Sequence, residues 1–306
     1  MTTQLTLTAP TRPLARVLSI LVRSREITAP NRVERRRRLR AAVGLAAPTA
    51  VLATVLIAAL APTLLTSADP LAVDAGGRFL APSAEHWFGT DYLGRDIFSR
   101  VVHGTGLTLR ATALALAISL LASSALGLLA GFLGGWVDTV ISRAVDVVLS
   151  IPALLLSLVL VTALGTGTLK VAVAVGLASV AALTRLTRGE VLKASTSRYV
   201  EAARLSGVRW YTILWRHVLP HATGPVIALL ALQIGEAILT IAGLSFLGFG
   251  AQLPTPEWGS IVSEGRNYLA NAPWMTTLPG AVIIATVVSA NRLSHAISEH
   301  GKEALR

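Results

Sequence analysis

Six apolar segments, residues 43–65, 107–132, 137–163, 169–183, 226–247 and 274–290, leave this chain few ways to fold. About 20 apolar residues wound as an α-helix cross the ~30 Å hydrocarbon core of a bilayer. Inside that core each backbone N–H and C=O needs an internal partner, which favours helices for segments of this length. Hydrophobic residues make up 53% of the chain and charged ones 14%, and mean hydropathy is +0.64, all outside the range of soluble domains. The expected fold class is therefore all-α, a polytopic membrane protein of six transmembrane helices. Some forty mainly polar residues precede the first segment, unlike the short basic start and cleavage site of a signal peptide, so that segment is expected to stay in the membrane.

The net charge of +11 could suggest nucleic acid, but the basic residues are polarised along the chain and not interleaved with aromatics on one surface. Topology accounts for them better. With six spans and both termini in the cytoplasm, 21 of the 27 lysines and arginines fall inside, ten of them in residues 1–41. Arg78, Arg95, Arg100, Lys170 and Arg266 fall outside, and Arg110 sits at a span edge. The expected organisation is a basic cytoplasmic tail over 1–41, a first span with an extracytoplasmic loop over 42–106, a membrane core over 107–295 and a cytoplasmic C-terminal tail over 296–306.

Within the spans a few residues stand out. Ala111, Ala115, Ser119, Ser123, Gly127 and Gly131 recur every four residues, a stripe of small side chains that lets a neighbouring helix approach closely. Arg143 and Asp146, one turn apart, are expected to pair locally near the start of the third span. Glu236 lies in the middle of the fifth, where a charge must face a water-filled pathway or a polar partner, and it is a candidate for lining such a pathway. Outside the spans, Asp91, Arg95, Asp96 and Arg100 could pass for a catalytic cluster, but alternating charges in a turn-rich segment are expected to fix a loop by ion pairs.

The second half has one long polar island, residues 201–220, EAARLSGVRWYTILWRHVLP. Its apolar positions repeat at helical spacing on either side of Gly207, predicting two short helices with the glycine at the corner. Pro220 lacks the amide needed to continue the second helix unbroken. An amphipathic helix lying in the interface is the other reading of the residues themselves. The pattern resembles the EAA loop of bacterial ABC-importer permeases: Glu201, Ala202, Ala203, Gly207, Leu219 and Pro220 match in register, and His217 stands where many members have isoleucine. Further likeness to the C-type subunits of the dipeptide/oligopeptide/nickel branch lies in Gly89-Thr90-Asp91, Leu93-Gly94-Arg95-Asp96, LSFLGFG over 244–250 and PTPEWGS over 254–260.

The resemblance implies a type I ABC importer permease fold, with the loop at about 195–220 as the joint to the ATPase. It further implies a second permease subunit as heterodimer partner, two cytoplasmic ABC ATPase subunits, an extracytoplasmic substrate-binding protein, and a place in the bacterial inner membrane. Peptides are the implied cargo, with nickel or another small solute as the alternative. A channel or scaffold whose basic loop binds lipid is the reading from a different class. No phosphate-binding loop GxxxxGK[ST] occurs, so no cofactor is expected on this chain and ATP would be used by the partner subunits. With no cysteine, no HExxH, no GxSxG and six scattered histidines, neither catalytic nor metal-binding residues are expected.

Overall fold

The computed structural model describes residues 32–304, with side-chain surroundings for 45–296, so most of the basic tail expected over 1–41 lies outside the described residues. The chain divides between Ala46 and Ala47 into two units, of which the second holds all the structure discussed below except the start of the first helix. No strand forms among the described residues, beyond one isolated bridge between Thr90 and Asp96.

Helix α1, Arg32–Leu60, begins inside the stretch expected as tail. Its apolar part ends at Leu60, five residues before the end expected for the span over 43–65. A turn-rich segment leads to α2, Ile97–Leu128, whose first turn is capped by the Asp96 carboxylate accepting from the Ser99 amide at 2.7 Å. A wider π turn, Leu129–Leu133, extends α2 to a 37-residue apolar helix. Gly134 and Gly135, at φ +65° and +57°, then end it.

The third expected span, 137–163, is not one helix. It is α3, Gly135–Leu149, and α4, Ala153–Leu164, bent by 90° about Ser150, Ile151 and Pro152. Pro152 has no amide to bond back into α3, and its ring keeps Ile151 out of the helical region. Helix α5, Thr168–Ser195, runs twelve residues beyond the apolar segment expected to end at Leu183. Short helices α6, Arg198–Leu205, and α7, Trp210–Ile213, follow, and a second π turn, Leu214–Val218, joins α7 to α8, Leu219–Phe246. The outer segment carries α9, Trp258–Gly265, and the chain ends in α10, Trp274–Ala304, which continues through the charged stretch expected as a tail from 296.

Among the described residues, four helices are thus long and apolar enough to cross a membrane: α2, α5, the α7–α8 rod and α10. The bent α3–α4 pair makes a fifth if counted as one crossing, and the expectation of six is met by adding α1.

Helices α2 and α5 form the central seam. A Cβ placed on Gly127 would lie 2.7 Å from the Thr187 side chain, one on Gly131 2.9 Å from the Arg188 carbonyl oxygen, and one on Gly176 of α5 2.8 Å from the Ala115 carbonyl oxygen. Ser119 and Ser123 are buried along the same line. Three apolar clusters follow this seam from end to end. Ile97, Val101 and Trp258 gather at one end, Ala115, Val175 and Leu244 in the middle, and Val191, Val200 and Ile213 at the other. The Gly167 amide donates to the Phe249 carbonyl at 2.8 Å, fixing the start of α5 to the end of α8.

Candidate coupling loop and pathway

At the Val191 end of the bundle the chain leaves α5, turns through α6 and α7, and re-enters the bundle as α8. Glu201 sits exposed in the first turn of α6, where the helix dipole favours a carboxylate. The end of α6 is closed by two backbone bonds, Gly207 N–H to the Arg204 carbonyl at 3.0 Å and Val208 N–H to the Ala203 carbonyl at 3.1 Å. That pair of bonds makes a Schellman motif, with Gly207 at φ +75° in the left-handed position it requires. Ala203 and Val208 both pack on the cluster of Val191, Val200 and Ile213, as the motif's apolar contact demands. Space does not constrain Gly207, since a Cβ there meets nothing within 4 Å; only the backbone angle does.

Past the corner, Pro220 does not interrupt the helix. It occupies the first turn of α8, where its missing amide is no loss. The π turn before it lets the Leu219 amide reach the Leu214 carbonyl, and the wider turn makes room for the proline ring. The second short helix of the loop is therefore continuous with the membrane helix. His217 and Leu219 are half-buried, Pro220 exposed. The Tyr199 hydroxyl donates to the His217 carbonyl at 3.4 Å, and its ring lies 4.9 Å from that of His221. Outward from the loop, with Glu201 and Ala202, stand Leu205, Trp210 and Trp215, between 63% and 85% exposed.

Glu236 lies on α8 with Gln233 and Thr240 on the same face, beside a small cavity that Ser119 of α2, Ser157 of α4 and Ser179 of α5 also line. Serine 119 thus belongs both to the seam and to this cavity. The spacing of Gln233, Glu236 and Thr240 was legible as one helical face; Ser157 and Ser179 were not, because their meeting with Glu236 depends on how three helices pack.

Arg143 does not hold Asp146. Asp146 pairs with Arg185 of α5, and Asp138 accepts two bonds from the Arg188 guanidinium, its Nη2 at 2.6 Å. The bend at Pro152 lays α3 along α5, so both carboxylates of α3 find cations across the helix pair and not along their own helix.

The outer loop is fixed by ion pairs, but with a different membership. Asp91 accepts from Arg95 at 2.7 Å and Arg100 at 2.8 Å, and both arginines reach Glu264 of α9 at 2.6 Å, all four side chains being buried. Burial alone would lower the Arg95 pKa, but Asp91 and Glu264 together hold it above the usual arginine value. Asp96 stands apart as the α2 cap and meets His86 at 3.0 Å. Glu264 was not found from the sequence, since over 160 residues separate it from Arg100. Glu257, in the PTPEWGS stretch, is fully buried; burial pushes its carboxyl above the usual range, with a bond from the Ser260 hydroxyl at 2.8 Å opposing the shift.

Comparison with known proteins decides the family. The model of the binding-protein-dependent transport system inner membrane component matches residues 123–300. The chain belongs to this family. It is 38% identical over 245 residues to the dipeptide transport system permease protein DppC of Alkalihalophilus pseudofirmus, covering 80% of each chain. It is 42% identical to the probable D,D-dipeptide transport system permease protein DdpC of Escherichia coli, over 77% of this chain and 79% of the relative. With the glutathione transport system permease protein GsiD of Pectobacterium atrosepticum it shares 38% identity over 91% and 93%. Among solved structures, an amino acid ABC transporter superposes with a TM-score of 0.54 at 17% identity, covering 66% of this chain and 94% of that one. The methionine transporter MetNI, in inward-facing form, gives 0.52 at 18% identity, over 65% and 96%. These two establish the fold alone. The protein is the membrane permease subunit of an ABC importer, and the family implies an ATPase and a substrate-binding protein beside it.

Proposed function

We propose that this permease carries di- or oligopeptides, glutathione among them, across the bacterial inner membrane as one half of a heterodimeric pathway. The relatives named for dipeptide and glutathione transport, similar over most of their length, support the cargo. The observation that carries the coupling role is the exposed corner at Gly207, a closed Schellman turn presenting Glu201, Ala202, Leu205 and Trp210 away from the bundle while α7 runs on into α8. Such an apolar, rigid knob suits a cleft in a cytoplasmic ATPase. Two ATPases would bind and hydrolyse the ATP, and this chain would hold no cofactor. Their closure would push the corner and tilt α8, opening the pathway outward toward the binding protein. Both termini and the loop would then lie in the cytoplasm, a placement that the distribution of basic residues supports.

The test is reconstitution of the permease with its second subunit, its ATPases and its binding protein in vesicles. ATP-dependent uptake of labelled dialanine or glutathione is expected. ATP-dependent uptake of a nickel complex, with no uptake of either peptide, would overturn the peptide reading. A solute flux indifferent to ATP would overturn the importer mechanism for this complex in favour of a channel.

A further inference from the structure

The cavity at Glu236 is rich in hydrogen-bond acceptors. The Ser119, Ser157 and Ser179 hydroxyls each spend their one proton on a carbonyl of their own helix, those of Leu116, Ala153 and Val175, at 3.1, 2.8 and 2.9 Å. What these three hydroxyls leave toward the cavity is lone pairs, while the Gln233 amide nitrogen and the Thr240 hydroxyl remain as donors. The Gln233 carbonyl oxygen is buried without a hydrogen-bond partner, and no cation among the described residues forms an ion pair with Glu236. The cavity measures about 10 Å³, room for one water-sized group.

Its depth is telling. Ser179 lies eleven residues past Thr168 and Glu236 ten before Phe246, which puts both about 15–17 Å from that end of the bundle, near the midplane of a ~30 Å core. Glu236 is itself exposed beside this cavity and has no ion-pair partner among the described residues, so a group that supplies positive charge and several N–H donors fits it.

We propose that this cavity receives the ammonium group of the cargo: three donors and no acceptor, water-sized, and opposite in charge to Glu236. An anionic end would meet the like charge of Glu236. The permease thereby selects cargo with a free amino group at mid-membrane, a choice separate from that of the binding protein. The inference rests on reading this chain as half of the pathway, and its test reads the site without requiring transport.

The chain has no cysteine, so Thr240→Cys places a single thiol on the Glu236 face. The purified full complex is exposed to 2-aminoethyl methanethiosulfonate or to its anionic 2-sulfonatoethyl counterpart, and the mass of this chain is followed with time. Relative to the same ratio for free cysteine, the cationic reagent is expected to gain about tenfold, the scale on which a charged cleft concentrates counter-ions. Adding Glu236→Gln should remove most of that gain, and Glu236→Asp should keep it. A ratio equal to that of free cysteine, a gain that survives Glu236→Gln, or no labelling by either reagent would each overturn the proposal. ATP-dependent peptide uptake by the unaltered complex, measured alongside, reports on the pathway reading independently.

Discussion

Gly207 is held to glycine by one angle. Because a Cβ there is free of contacts, substitutions should rank by their tolerance of φ +75° and not by size. Asparagine visits the left-handed region readily, and a β-branched residue does so only under strain of about 1–3 kcal/mol. Gly207→Asn should therefore keep binding-protein-stimulated ATP hydrolysis coupled to uptake, and Gly207→Val should loosen ATPase docking or uncouple the two while leaving insertion intact. Equal activity of both variants would show that the corner is not the joint. Glu257 makes a prediction about pH. Its carboxyl titrates above the ordinary value of 4.5 in the folded chain, so the folded state favours the protonated form. That stabilisation is full below the unfolded pKa and is lost as pH rises through the raised, folded one. The thermal unfolding temperature of the detergent-solubilised complex should then fall on going from acid to neutral pH, and Glu257→Gln should flatten the dependence. At this scale the sequence was informative wherever a residue's task is local. The corner at Gly207 follows from spacing and backbone angle. Glu264 and the partners of Asp138 and Asp146 do not, because they depend on which helices meet.

Among the elements, the α2–α5 seam carries the clearest expectation. Gly127 already sits where a single added carbon would approach Thr187 to 2.7 Å, so Gly127→Leu should destabilise the subunit by about 1–3 kcal/mol or more through overpacking. Complex yield after detergent extraction and thermal unfolding would measure it, while Leu121→Ala, 72% exposed on the same helix, should cost far less. The stripe of small residues was readable because its four-residue repeat marks one face of a helix, although which helix it meets was not. Hydropathy failed differently at the third span. It reports how apolar a segment is and carries no direction, so α3 and α4 read as one crossing even though Pro152 turns the chain through 90°. The same blindness to geometry set a boundary at Pro220 that the π turn removes.

For the whole molecule, the arginine and lysine distribution is the guide to orientation, and it was available before any coordinates. Reporter fusions after Thr66 and after Thr255 should behave as external, and one after Lys193 as internal. A cytoplasmic signal at Thr66 would reverse the assignment of the first crossing. The all-α class was legible from composition and segment length together, while the way the helices share their faces was not.

The joining of α7 to α8 sets a gear ratio. From Trp210 to Phe246 the helix runs for 37 residues, so the coupling corner stands about 54 Å from the Phe246 end and Glu236 only about 15 Å from it. Pivoted near Phe246, such a rod reduces displacement about 3.6-fold between its driven end and its carboxylate. On the coupling proposed above, each ångström of movement at mid-membrane requires nearly four at the corner, with force multiplied in the same proportion. A lever of that kind trades stroke for grip, which suits a motor that moves far and a binding site that needs to shift by no more than the width of an ammonium group.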